Sequence, residues 1–231
     1  MIAENIASLR ARIAQAAGRS LRRPEEITLV AVSKTHGPEA VLEAAQAGLT
    51  VFGENRVQEA RAKAPLVGAP VSWHLIGPLQ SNKVRQALGL FERIHSIDKV
   101  DLARDVDRIA GELGLKPKVF LEVNVGGEGS KFGFDPGALR VAMPELLALG
   151  HLSIDGLMAI PPWVAEPSEA RPYFVALREL RDRLAAEFGV QLPELSMGMS
   201  GDFEVAIEEG ATFVRVGTAL FGERQGKAWK P

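Results

Sequence analysis

The run Ile27-Thr28-Leu29-Val30-Ala31-Val32-Ser33-Lys34-Thr35-His36, followed by Gly37-Pro38-Glu39, decides how this chain folds. Apolar and β-branched residues over 27–33 read as a buried strand, and Gly37-Pro38-Glu39 reads as the start of a helix. A strand that feeds a helix is the repeating unit of a parallel sheet. In an open, doubly wound sheet that binds a dinucleotide, the first such turn carries a glycine-rich loop. Here Ser33-Lys34-Thr35-His36 occupies that turn, which favours the other arrangement, closure into a barrel.

The same unit recurs along the chain. Strands are expected near 27–33, 50–53, 71–76, 92–97, 118–125, 153–160, 194–197 and 212–216. Helices are expected near 38–47, 55–64, 80–89, 98–113, 136–149, 168–188 and 202–209, with a short one starting near Thr218. Eight units imply a single (β/α)8 barrel of the TIM type, compact at 231 residues; the runner-up is an open doubly wound sheet. Ahead of the first strand, Ile2, Ile6, Leu9 and Ile13 recur at helical spacing, so an extra amphipathic helix is expected at the N-terminus. No shift in composition marks a second domain. Residues 1–231 therefore read as one domain, with a mobile tail from about 225 to 231.

Strand parity sorts the side chains. In 118–125, Val119, Leu121, Val123 and Val125 form the apolar face that should meet the helices, and Lys118, Phe120, Glu122 and Asn124 should face the lumen. In 212–216, Val214 and Val216 face the helices while Phe213 and Arg215 point inward. An arginine inside a barrel needs hydrogen-bond partners or a ligand. Pairing with Glu122 and a role in binding are both open.

Composition narrows the classes. A net charge of -2 offers no electrostatic reason to expect nucleic acid or anionic membrane. The absence of cysteine removes disulfides, thiolate metal sites and cysteine nucleophiles, and fits a cytoplasmic location. No stretch is apolar enough to span a bilayer, and His36, His74, His95 and His151 lack metal-ligand spacing.

The chemistry is expected at the two ends of the chain. Lys34 closes the first strand, where a lysine either snorkels to water or, desolvated, becomes a nucleophile for carbonyls. Ser196-Met197-Gly198-Met199-Ser200-Gly201-Asp202 follows strand seven, with Ser200 placed as a helix N-cap, and Arg215-Val216-Gly217-Thr218-Ala219 follows strand eight. In such barrels the loops after strands seven and eight hold phosphate. Strands one and eight are neighbours in a closed barrel, so Lys34 should sit beside Arg215 and both loops. A lysine nucleophile, a phosphate cradle and an inward arginine suggest pyridoxal 5'-phosphate. Its aldehyde would form a Schiff base with Lys34, its phosphate would rest on Ser200, Gly217 and Thr218, and its ring nitrogen would face Arg215.

Several segments also resemble a known family: Ala31-Val32-Ser33-Lys34, Gly53-Glu54-Asn55, the stretch from Trp73 to Lys83 (WHLIGPLQSNK), Leu157-Met158-Ala159-Ile160-Pro161, Leu195 to Ser200, and Val214 to Thr218. The chain is similar to the YggS/PROSC family, the pyridoxal phosphate homeostasis proteins, from about residue 2 to residue 224. The resemblance implies a barrel like the N-terminal domain of alanine racemase, with the cofactor on Lys34. It further implies a role in buffering the cofactor and delivering it to apo-enzymes, with no established enzymatic activity. Asn55 is expected near the cofactor ring, or as a helix N-cap, and Asn124 near the 3'-oxygen. The racemases take a tyrosine from a C-terminal domain of a partner subunit, so a chain without that domain is expected to be a monomer. The only tyrosine here, Tyr173, is expected to pack in the helix after strand six. Lys83 is expected to be solvated or to draw anions. Two readings compete with the carrier: an amino-acid racemase of weak or narrow activity, and a lysine-dependent aldolase acting on a sugar phosphate.

Overall fold

The computed structural model describes residues 1–127 and 132–222. The tail expected over 225–231 lies outside the described residues. Eight parallel strands close into a barrel in sequence order. They are β1 (Thr28–Val32), β2 (Val51–Glu54), β3 (Ser72–Leu75), β4 (Arg93–Ile97), β5 (Lys118–Glu122), β6 (Ser153–Met158), β7 (Glu194–Met199) and β8 (Phe213–Val216). The closing seam pairs Thr28 with Phe213 and Ala31 with Val216, so the turn bearing Lys34 lies beside the one bearing Gly217. The doubly wound alternative is thereby excluded.

Helices α1 (Ile2–Arg19), α2 (Pro38–Gln46), α3 (Val57–Val67), α4 (Val84–Leu88), α5 (Val100–Leu113), α6 (Pro136–Ala148), α7 (Arg171–Phe188), α8 (Phe203–Glu208) and α9 (Thr218–Phe221) surround the strands. The additional helix, α1, buries Ile6, Leu9, Ile13, Ala16 and Ala17. It is fastened to the end of the chain by Asn5 Nδ2, which donates to the Leu220 carbonyl at 2.8 Å, and by the Arg12–Glu204 ion pair on α8.

Parity works as expected. Val119, Leu121, Val123, Val214 and Val216 join the large core between strands and helices. Val30, Val32, Ile76, Phe120, Met158 and Phe213 form a separate apolar cluster inside the barrel. At the floor, Arg93 pairs with Asp155 and lies over the Phe213 ring at 5.1 Å. Apolar packing therefore fills the lumen above that ion pair, with Val32 and Ile76 at its upper edge. Polar groups occupy the half nearer the C-terminal ends of the strands, where barrels of this type carry their sites.

Candidate functional site

A cavity of about 360 Å³ opens at the C-terminal end of the barrel. Lys34, Asn55, Ser200, Arg215, Gly217 and Thr218 line it, together with Glu122, Ile76 and Met199. Six of the seven residues singled out from the sequence thus line one cavity. The seventh, Asn124, follows β5 beyond that lining, and its backbone N–H donates to the Phe134 carbonyl at 2.9 Å. Tyr173 sits on α7, away from the cavity lining. Asn55 is not the cap of α3; Arg56 holds that position and leaves Asn55 facing the cavity. Its backbone lies under Gly77, where a Cβ would stand 2.4 Å from the Asn55 carbonyl, so only glycine lets the loop after β3 close over it.

The loops after β7 and β8 meet at Ser200. Its Oγ accepts from the N–H groups of Gly217, at 3.3 Å, and Ala219, at 3.4 Å. Ser200 is not the cap of α8, as its sequence position suggested. Asp202 stands at the N-cap, with its carboxylate turned back to accept from the Met199 N–H at 2.6 Å. Ser200 is left in the turn, where its hydroxyl can converge with two amides. A Cβ on Gly217 would lie 3.3 Å from the Val32 carbonyl, so this loop rests tightly on the end of β1. The Ser200 and Thr218 hydroxyls, a glycine-lined approach and two amides that Ser200 Oγ now engages at long distance form a donor set that suits a phosphate, which would take those amides over from Ser200.

Arg215 is buried beneath the cavity, 4% exposed. It donates to Ser196 Oγ at 2.7 Å and to the Ala159 carbonyl at 2.9 Å. It makes no ion pair with Glu122 among the described residues, so that expected alternative is not what satisfies it. Behind it runs a line the sequence reading missed. Ser196 Oγ lies 2.8 Å from His95 Nδ1, and His95 Nε2 lies 3.0 Å from His74 Nδ1. A guanidinium can only donate. The Ser196 oxygen can accept twice, so the two remaining directions follow the ring tautomer: with Ser196 donating to His95 Nδ1, His95 Nε2 donates to His74 Nδ1, and the other tautomer reverses both. Both rings are neutral in either order. Burial first, then the neighbouring positive groups, hold His95 well below the usual histidine range. Burial, aided by Arg93, lowers His74 to about 4.

Glu122 faces the same cavity. Burial, reinforced by Asp98 and opposed by Arg215, lifts its carboxyl to about 7. A carboxyl that holds its proton more tightly when folded contributes stability below its unfolded pKa, and that contribution is lost as pH rises through about 7. In the ligand-free protein, Glu122→Gln should remove this dependence. Between pH 5 and pH 8 the wild type should lose about 3 kcal/mol more unfolding free energy than the variant, as read by urea denaturation. Parallel pH profiles would count against the shift.

Lys34 is flanked by a buried ionic cluster. Lys63 Nζ, fully buried on α3, donates to Glu54 Oε1 at 2.6 Å and to the Ser33 carbonyl at 2.9 Å. Ser33 Oγ donates to the same Glu54 oxygen at 2.7 Å, and the Thr35 N–H donates to Glu59 at 2.6 Å. Thr35 adopts φ +70°, a left-handed conformation that is costly for a β-branched residue. Both chain neighbours of Lys34 are therefore pinned, and Lys34 itself turns into the cavity.

Residues 4–225 match the family model described as alanine racemase, N-terminal domain. The pyridoxal phosphate homeostasis protein of Aquifex aeolicus is 47% identical over 223 residues, covering 96% of this chain and 98% of that one. The protein of the same name from Escherichia coli is 41% identical over 232 residues, covering 96% and 97%. Among solved structures, PipY of Synechococcus elongatus with PLP bound superposes with a TM-score of 0.86 at 45% identity, covering 96% of this chain and 100% of that one. An alanine racemase of Clostridium difficile, at 17% identity and a TM-score of 0.75, shares the fold over 58% of its length.

Proposed function

This chain belongs to the pyridoxal phosphate homeostasis proteins, and on that premise we propose that it carries pyridoxal 5'-phosphate on Lys34, buffers it, and releases it to apo-enzymes. The observation that carries this reading is the shared cavity: an amine from β1, a ring of phosphate donors from the β7 and β8 loops, and a buried guanidinium between them. When bound, the cofactor supplies an aldehyde for an amine and an electron-accepting ring. Lys34 provides the anchoring amine. Ser200, Thr218 and the Gly217 and Ala219 amides hold the phosphate. Asn55 would border the ring; Asn124, expected near the 3'-oxygen, lies beyond the cavity lining.

Arg215 faces the ring nitrogen with a donor that cannot surrender its proton. Burial brings its guanidinium down only to about 10. An adjacent positive charge disfavours protonation of that nitrogen, and an unprotonated ring withdraws electrons poorly. That counts against transamination and does not by itself separate a carrier from the competing racemase, since the racemases of this fold work with the same arrangement. Racemisation further needs a proton-handling group on each face, and among the described residues no tyrosine lines the cavity. The protein is read as a monomer. No helix among the described residues is long and apolar enough to cross a membrane, and the cysteine-free chain is compatible with the cytoplasm.

The test is optical. Purified protein incubated with pyridoxal 5'-phosphate should show a visible imine band that borohydride bleaches, with one adduct mapping to Lys34 by peptide mass spectrometry. A protein that stays colourless with excess cofactor would remove the assignment and favour the aldolase reading of the same lysine and phosphate loops.

A further inference from the structure

A second, larger cavity of about 870 Å³ adjoins the first across the shared walls of Asn55, Pro78 and Phe132. Its lining comes from the start of α3, the loop and 3₁₀ turn before α4, and the turn before α5. Most of the Gly77-to-Lys83 signature, including Gln80 and Ser81, belongs to this wall rather than to the cofactor cavity. Both serine and glutamine are exposed, so core packing does not explain them.

Charge sets this cavity apart. Arg56, Lys83 and Lys99 line it, and among the described residues none of their side chains makes a salt bridge or hydrogen bond. Most arginines elsewhere on the molecule are paired, as in Arg12–Glu204, Arg140–Glu187 and Arg171–Glu208. The acid in the wall, Asp98, is half-buried; burial raises its carboxyl from the ordinary value against the pull of Lys99, and it is a single acid facing three cations. Like charges gathered in a concavity with low-dielectric walls focus the field and concentrate the opposite ion. In a protein of net charge -2 this concentration of positive charge is local rather than general. The volume suits a small molecule, and Gln58, Gln80 and Ser81 add the few polar groups that orient one.

We propose that this groove is a second anion site, which holds a phosphate monoester through Arg56, Lys83 and Lys99 at the mouth of the cofactor cavity. It lies by the loops after β2, β3 and β4, across the barrel from the phosphate cradle after β7 and β8. A bound cofactor therefore leaves it open. The groove receives the phosphate of an incoming molecule before its aldehyde reaches Lys34, and receives it again on departure. This role rests on the cofactor reading above.

The experiment closes the first site before probing the second. Full-length protein is loaded with pyridoxal 5'-phosphate, fixed on Lys34 with borohydride, checked for one adduct by mass, and titrated calorimetrically with pyridoxine 5'-phosphate, which has no aldehyde. Saturable uptake of one equivalent is expected, competed by inorganic phosphate and absent with unphosphorylated pyridoxine. The double variant Arg56→Ala/Lys83→Ala, altered only at groove positions, should weaken this uptake at least tenfold and leave the bound chromophore's spectrum unchanged. In unreduced protein the same variant should slow imine formation several-fold at low salt, with the difference shrinking as ionic strength rises. No saturable binding to the blocked protein, or equal binding by the double variant, would overturn the groove and leave the cofactor site intact. Failure to fix any adduct on Lys34 would overturn both.

Discussion

Lys63→Met should lower the unfolding free energy by about 3–5 kcal/mol, because it leaves a buried carboxylate without its charge partner. Glu54 is fully buried, and one of its oxygens, Oε2, already lacks a hydrogen-bond partner among the described residues. Burial raises its carboxyl above the ordinary value, and Lys63 is the largest influence opposing that rise. Without the ammonium, Glu54 must take up a proton to stay buried. A raised carboxyl pKa places its stabilising contribution at low pH and loses it as pH rises, so the deficit should be smaller at pH 5 than at pH 8. Denaturant titrations at those two pH values measure both effects. The double variant Lys63→Met/Glu54→Leu should recover part of the loss, because apolar replacement of a buried pair avoids its desolvation cost. A loss below about 1 kcal/mol for the single variant would mean the pair is not buried as described.

Arg215→Ala should weaken retention of the cofactor about 10- to 100-fold, the range expected for a hydrogen bond from a charged donor. Equilibrium dialysis of pyridoxal 5'-phosphate reads this directly. Arg215→Lys should not rescue it. The planar fork serves Ser196 and the Ala159 carbonyl together while facing the cavity, and an ammonium cannot hold all three directions. A second signature distinguishes loss of charge from loss of shape. Arg215 is the positive group that opposes the rise at Glu122, so without it Glu122 should titrate above about 7. Wild-type retention in Arg215→Ala would separate the guanidinium from the cofactor.

The barrel was legible because strand parity carries two messages at once. Val119 and Leu121 on one side of β5, against Phe120 and Glu122 on the other, announce a strand and also which face is the lumen. The same alternation in β8 turned Arg215 inward. Adjacency of β1 and β8 then followed from closure alone, and with it the company of Lys34. The histidine line was harder to see. Parity groups His74 with Ser72 and Ile76, but β4 breaks register between Ile94 and Ile97, which blurs the facing of His95. The histidines were weighed by metal-ligand spacing, a pattern that says nothing about a hydrogen-bonded file across three strands. Lys63 carried a usable signal: it shares a helix face with Ala60 and Val67, both buried. A lysine on an apolar face demands an acid, and Glu59 one turn earlier and Glu54 at the end of the preceding strand were both within reach. Ser200 misled for a different reason. A serine two residues before a helix resembles a cap, and only the contact with the β8 loop shows that its hydroxyl serves the neighbouring turn.

The seam between β1 and β8 has a consequence for when this protein becomes competent in the cell. Lys34 leaves the ribosome long before Ser200, Arg215 and Gly217. Until β8 docks, the growing chain has the amine but neither the phosphate donors nor the guanidinium. A bare lysine meets a free aldehyde only in passing, so a nascent or truncated chain would scavenge little and would not lock a cofactor into an unfinished fold. With the two halves of the site on β1 and on the loops after β7 and β8, cofactor capture waits until the barrel closes.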